Sequence, residues 1–248
     1  MTGPIDGHAH LNELAALDRC LDDARQAGVQ AIIGVGMDIP SNRRILAIAA
    51  ANEGFVFPAV GYHPWEIRKD AVEETLAFID ENLGGCVALG EVGLDYKAKV
   101  KKKLQRHVFG ELLRLALRHG KVPILHCRYS HERVFTMVTE AGVDRAVFHW
   151  YTGTIDLMRR IIDAGYCISA TPALRYSPPH REAVRAAPMD GILIETDCPV
   201  AYQGVESRPV DVVDTAREVA RLKGMDPAEV MAVTAENTKN LYSLPGLL

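Results

Sequence analysis

The sequence predicts a single (β/α)8 TIM barrel over residues 1–248, and three observations carry that prediction. Short apolar runs of strand length alternate with stretches of helical periodicity, and eight strand runs can be read along the chain. No linker, low-complexity stretch or composition shift interrupts them in 248 residues, a length that suits one such barrel. The first strand is followed by His8-Ala9-His10-Leu11-Asn12, where a doubly wound open sheet would offer a glycine-rich phosphate turn.

Residues 5–10 form the first strand, and alternation puts Asp6, His8 and His10 on one face. Residues 13–27 carry Leu14, Leu17, Leu21 and Ala24 at helical spacing and stop at Gly28. Residues 29–35 are largely apolar, as suits a strand buried on both faces. Helix 41–52 then precedes strand 55–61, helix 71–83 precedes strand 86–90, and helix 101–119 precedes strand 122–126. Helix 131–141 leads to strand 145–149, helix 155–164 to strand 166–170, and helix 179–186 to strand 191–195. A helix over 210–222 follows, and Asp226-Pro227-Ala228-Glu229 reads as a helix start in which Asp caps, Pro opens and Glu completes a capping box.

Composition limits the function classes. With 48% hydrophobic and 24% charged residues, the chain has the make-up of a soluble globular protein. A net charge of −4 gives no global basic field for non-specific nucleic-acid binding, so an anionic partner has to be attracted locally. Five cysteines (Cys20, Cys86, Cys127, Cys167 and Cys198) lack C-x-x-C spacing, which argues for reduced thiols in a cytoplasmic protein. No basic region followed by an apolar run opens the chain, and no segment reaches about 18 apolar residues. Neither secretion nor a membrane span is expected.

In a barrel of this kind chemistry gathers at the C-terminal ends of the strands. His8 and His10 end the first strand, His63 the third, Glu91 the fourth, His126 the fifth, His149 the sixth and Asp197 the eighth, so one mouth is expected to hold all of them. Imidazole and carboxylate at that density suit divalent metal. The set exceeds what one tetrahedral ion uses while leaving a position open to water, so two ions are expected with Glu91 as their bridge. Phosphotriesterase-type barrels use a carbamylated lysine on the fourth strand as that bridge, and this sequence has no lysine there. His107, His119, His131 and His180 lie away from strand ends and are expected on the surface or in packing, with His131 within reach of the mouth from its loop. Two divalent cations outweigh two carboxylates, and with Arg128 and His63 nearby the site favours an anion. Paired ions stabilise attacking and leaving oxygens together, so phosphodiester hydrolysis is expected ahead of hydrolysis of a neutral amide.

The residues resemble the TatD family of metal-dependent deoxyribonucleases, within the amidohydrolase-like TIM barrels, along nearly the whole chain. The matching motifs are Asp6-Gly7-His8-Ala9-His10-Leu11, Gly61-Tyr62-His63-Pro64, Gly90-Glu91-Val92-Gly93-Leu94-Asp95-Tyr96, His126-Cys127-Arg128, His149 through Gly153, and Glu195-Thr196-Asp197-Cys198-Pro199. The resemblance implies one metal on His8, His10, Glu91 and Asp197 and a second on Glu91, His126 and His149. It implies that Asp197 takes the proton of the attacking water and that His63 and Arg128 contact the phosphate. It also implies divalent-metal-dependent hydrolysis of DNA, often of single strands from the 3′ end. Three departures stand out. The family's His-Cys-Phe after the sixth strand is His149-Trp150-Tyr151 here, its Arg-Asn-Glu-Pro is Glu206-Ser207-Arg208-Pro209, and the second glutamine of its Gln-x-x-x-Phe-x-x-Gln helix is Leu112, with Gln105 and Phe109 retained.

Lys97-Ala98-Lys99-Val100-Lys101-Lys102-Lys103 sets lysines against the dipole of the following helix. A single strand guided past Lys101, Lys102 and Lys103, with Tyr96, Trp150 and Tyr151 as stacking surfaces, is the corresponding expectation. No protein partner is implied, and a monomer is expected. Zinc, manganese, nickel, cobalt and magnesium all suit such ligands. The alternative is a carbonyl substrate, such as a D-aminoacyl ester on tRNA or a small amide or lactone. A barrel that binds without catalysis is disfavoured because every ligand is present.

Overall fold

The computed structural model describes residues 3–244, 246 and 247. Strands β1 (Ile5–Ala9), β2 (Ala31–Val35), β3 (Val56–Val60), β4 (Ala88–Asp95), β5 (Val122–Arg128), β6 (Val147–Phe148), β7 (Cys167–Ala170) and β8 (Ile192–Ile194) pair in chain order in one parallel sheet. Helices α1 (Leu17–Gln26), α2 (Ile39–Ala51), α3 (Val72–Asn82), α4 (Lys102–His119), α5 (His131–Glu140), α6 (Ile155–Asp163) and α7 (Pro178–Ala186) make the crossovers. α8 (Val212–Lys223) and α9 (Pro227–Tyr242) follow the last strand. The sheet curls into the expected barrel. Between β1 and β8 the seam is closed by backbone bonds near the strand ends: Asp197 N donates to His8 O at 2.9 Å and His10 N to Cys198 O at 2.8 Å.

Strand alternation divides the apolar residues into two cores. Ile5, Ile33, Val35, Phe57, Ala59, Ile124 and Leu193 belong to one cluster inside the barrel, joined by Leu241, Tyr242 and Leu244 from the end of α9. Ile32, Leu89, Leu125, Phe148, Ile168 and Ile192 belong to the other, against the surrounding helices. Helix ends follow local chemistry. Asp38 accepts from Ser41 N at 2.9 Å while Ser41 Oγ accepts from Asp38 N, so α2 opens on a capping box. Asp226 caps α9 through Ala228 N at 2.8 Å, but Glu229 is exposed and completes no box.

Three elements depart from expectation. The chain makes a tight turn at Leu11–Glu13, with Glu13 N donating to His10 O, and α1 starts only at Leu17, once the chain has left the mouth. β4 runs five residues beyond Gly90, because Val92 to Asp95 pair with Leu125 to Arg128 after a register shift. That continuation needs Gly93, whose φ is +146° and where a Cβ would meet His126 O at 2.2 Å. A short hairpin, β9 (Ala201–Tyr202) with β10 (Val205–Glu206), follows β8 and carries no alternating pattern by which to read it.

Candidate metal centre

The strand ends bring His8, His10, His63, Glu91, His126, His149 and Asp197 together, all buried or nearly so. His8 Nε2 and His10 Nε2 lie 3.2 Å apart. Glu91 Oε2 is 3.5 and 3.3 Å from them, and Asp197 Oδ1 is 3.4 and 3.5 Å from the same two nitrogens. For metal–ligand bonds of about 2.0–2.1 Å the edge of a tetrahedron is about 3.4 Å, so these separations suit one small divalent ion. The other oxygen of the same carboxylate, Glu91 Oε1, faces His126 Nδ1 at 2.8 Å, His149 Nε2 at 2.9 Å and His63 Nε2 at 3.5 Å. Glu91 thus turns one oxygen to each of two donor clusters. A Cβ on Gly61 would come within 2.4 Å of Glu91 N, so glycine there lets β3 pass the bridging residue.

Three imidazoles are oriented from behind. His10 Nδ1 donates to Val35 O at 3.0 Å, His126 Nε2 to Asp95 Oδ2 at 3.2 Å and His149 Nδ1 to Glu195 Oε1 at 3.2 Å. Each proton fixes a tautomer and leaves the opposite nitrogen free to bind. Asp95 is itself held by Trp65 Nε1 at 2.5 Å and by the Lys97 and Ala98 amides, and Gln105 clamps its backbone. Glu195 also accepts from Trp150 N at 3.1 Å. On the other flank, buried Asp6 takes Thr196 N at 2.9 Å and Thr196 Oγ1 at 2.6 Å, fixing the segment that carries Asp197.

The electrostatics show a site short of positive charge. Burial works against ionising Glu91, but His149, His63, His10 and His126 around it hold its carboxyl well below the usual range. Burial likewise opposes the His10 cation, yet Glu91 and then Asp197 lift it to about 9. His149 is raised in the same way by Glu91 and Glu195, and His126 by Asp95 and Glu91, each against its own burial. His63 follows its burial instead and falls to about 4. Burial raises Asp197, with Glu91 adding to the rise. Imidazoles that cling to protons beside buried carboxylates occupy places that a divalent cation fills better, so the donor set fits metal.

All of the groups that the strand ends bring together, except the fully buried His8, line a cavity of about 510 Å³ whose wall also includes Trp65, Arg128, Trp150 and Tyr176. Arg128 is exposed, 4.0 Å from Asp95. Trp150 lines the wall and packs on Tyr202, whereas Tyr151 is fully buried and presents no face to the mouth. Tyr96, Lys101 and Lys102 lie beyond Asp95, outside the lining; Lys102 Nζ sits 4.4 Å over the Tyr96 ring. His131 packs on Tyr151 and His180 is buried, while His107 and His119 lie on α4. Sequence reasoning gave Trp65, Asp95 and Glu195 no part in the site and set Asp6 beside His8 and His10 without a role. The available signal was a carboxylate inside a resembling motif, as at Asp95 and Glu195.

A parallel barrel with a buried histidine–carboxylate cluster at its C-terminal mouth defines a metal-dependent hydrolase. The chain belongs to the TatD family: the profile described as TatD related DNase matches residues 5–243. It is 32% identical to YabD of Bacillus subtilis, named an uncharacterized metal-dependent hydrolase, over 97% of this chain and 99% of that one. It is 27% identical to the human deoxyribonuclease TATDN3 over 97% and 94% of the two chains. Among solved structures, YJJV, a TATD homolog from Escherichia coli, superposes with a TM-score of 0.87 at 26% identity, covering 97% and 98%.

Proposed function

We propose that this protein hydrolyses phosphodiester bonds of single-stranded DNA from a chain end, using water activated at a site for two divalent ions. The observation that carries the reading is Glu91, with Oε2 toward His8 and His10 and Oε1 toward His126 and His149. In this reading His8, His10, Glu91 and Asp197 hold one ion, and Glu91, His126 and His149 the other. Bound divalent ions supply Lewis acidity and lower the pKa of water. Asp197, whose Oδ1 lies 3.4 and 3.5 Å from His8 and His10 Nε2, accepts the proton of the attacking water as general base. His63 and Arg128 bind the phosphate, Arg128 from the cavity wall in the two-pronged manner open to a guanidinium. Trp150 walls the site, and Tyr96, Lys101 and Lys102 flank the incoming strand. A cavity of about 510 Å³ supports entry of a strand end rather than of a continuous duplex. The protein named a deoxyribonuclease among its relatives supports DNA as substrate. Action as a cytoplasmic monomer completes the proposal; no helix among the described residues is long and apolar enough to cross a membrane.

The test is cleavage of end-labelled single-stranded DNA, RNA and duplex DNA with zinc, manganese, magnesium, cobalt and nickel added singly, beside Asp197→Asn. Metal-dependent shortening of the single strand from one end, lost in the variant, is the expected result. Intact strands in protein shown to bind two metals would overturn it and turn attention to aminoacyl-tRNA esters.

A further inference from the structure

Arg128 is the last residue of β5, and the next residue, Tyr129, is 69% exposed. Its φ is +55°, a left-handed conformation that glycine or asparagine adopts readily and an aromatic residue rarely does. Other non-glycine residues at positive φ include Trp150, directly after His149, and Asp197, so the backbone takes this conformation where strand ends carry the mouth. The corner is also fixed on both sides. Tyr96 N donates to Arg128 O at 2.9 Å, and Ser130 Oγ to Leu94 O at 2.5 Å. Lys97 Nζ lies 5.3 Å from the centre of the Tyr129 ring, on a loop held by the bonds from Lys97 and Ala98 amides to Asp95. An exposed aromatic ring with an ammonium 5.3 Å from its centre therefore adjoins the arginine of the cavity wall. Among the described residues Trp65 and Tyr176, at 51% and 40% exposed, are the other large aromatic side chains left open, and both line the cavity.

We infer that Tyr129 is a nucleobase-stacking platform, with Lys97 beside it for the neighbouring phosphate, holding a single-stranded nucleotide next to the one that enters the cavity. Every base offers a π-face, so such a platform binds without regard to sequence. A duplex keeps its bases stacked and hidden, so the platform selects single strands. The inference rests on the nucleic-acid reading above and assigns it a subsite outside the metal centre.

The test is fluorescence anisotropy with a labelled, phosphorothioate-linked thymidine decamer and an abasic strand of the same backbone. Stacking on one aromatic side chain corresponds to roughly a 5- to 150-fold change in affinity. Tyr129→Ala is expected to bind the thymidine strand about tenfold more weakly, Tyr129→Phe to bind it as wild type does, and both to bind the abasic strand unchanged. Tyr129→Gly, which suits the positive φ and leaves the fold unstrained, is expected to match the alanine variant. Equal binding of the thymidine strand by all proteins overturns the inference. So does an equal loss toward both strands, which would put Tyr129 on the backbone, and so does a wild type that binds neither. Failure of the nuclease reading appears separately, as no metal-dependent cleavage of an ordinary thymidine strand by wild type.

Discussion

Replacing Asp95 by asparagine tests whether the metal centre depends on what stands behind its ligands. Four donors converge on this buried carboxylate. Oδ2 takes His126 Nε2 at 3.2 Å and Trp65 Nε1 at 2.5 Å, while Oδ1 takes Lys97 N at 2.7 Å and Ala98 N at 3.1 Å. A carboxylate accepts all four, and an amide has only one oxygen to offer. The backbone amides cannot turn away, so the new NH2 is expected on the Oδ2 side, facing His126 and Trp65. His126 then has to carry its proton on Nδ1, the nitrogen that faces Glu91 Oε1 at 2.8 Å. Metal has to displace that proton. Loss of such an outer partner typically costs 10- to 100-fold in metal affinity, or about 1.4–2.7 kcal/mol. Calorimetric titration of metal-free protein with zinc is expected to show one equivalent bound as in wild type and a second bound 10- to 100-fold more weakly. Two equivalents of unchanged affinity would refute the reasoning.

The other predictions concern the seam, a buried histidine, the phosphate and the metals. Thr196→Val removes a 2.6 Å bond to the buried Asp6 carboxylate and is expected to cost about 2 kcal/mol, read as a Tm lower by roughly 6 °C. His180 donates from Nδ1 to Tyr151 O and accepts Thr171 N at Nε2, and burial lowers its pKa to about 4. Because the unfolded chain takes up that proton first, the contribution is whole above about pH 6.5 and is lost as pH falls toward 4; it is about 3 kcal/mol at most. The stability gap between wild type and His180→Gln, from urea titrations of metal-free protein, is expected to narrow across that window, and a gap independent of pH would contradict it. Arg128→Ala is expected to raise KM for DNA about tenfold with little change in kcat, since the interaction is made in ground and transition states alike. Chelation is expected to abolish cleavage and, for metal at about 1,000 times its Kd, to lower Tm by roughly 10 °C in a thermal scan.

The fold was legible because a parallel barrel writes itself as repeated apolar runs between helical periods, and the strands from Ala31–Val35 to Ile192–Ile194 all fell within the expected segments save β4 and β5, which run on. The candidate ligands were legible because histidines and carboxylates recur at the ends of several separate apolar strands, where one alone would carry little. What escaped depended on register and on distance in the chain. Asp95 enters the site only because β4 continues past a shift in pairing that no periodicity marks. Trp65 belongs to no strand or helix, and its tie to Asp95 spans 30 residues. Tyr129 was invisible because neither exposure nor a positive φ can be read from an aromatic residue between polar neighbours.

The seam that closes the barrel has a consequence for synthesis on the ribosome. Asp197 and Cys198 join His8 and His10 through backbone bonds, and Thr196 meets Asp6 across 190 residues of chain. Contacts so far apart form late, after the intervening units are available. A nascent chain that has emerged only as far as β7 therefore holds His8, His10 and Glu91 without Asp197, the other carboxylate beside the two histidines. The donor cluster around His8 and His10 stays one carboxylate short until the stretch that follows β8 has been released.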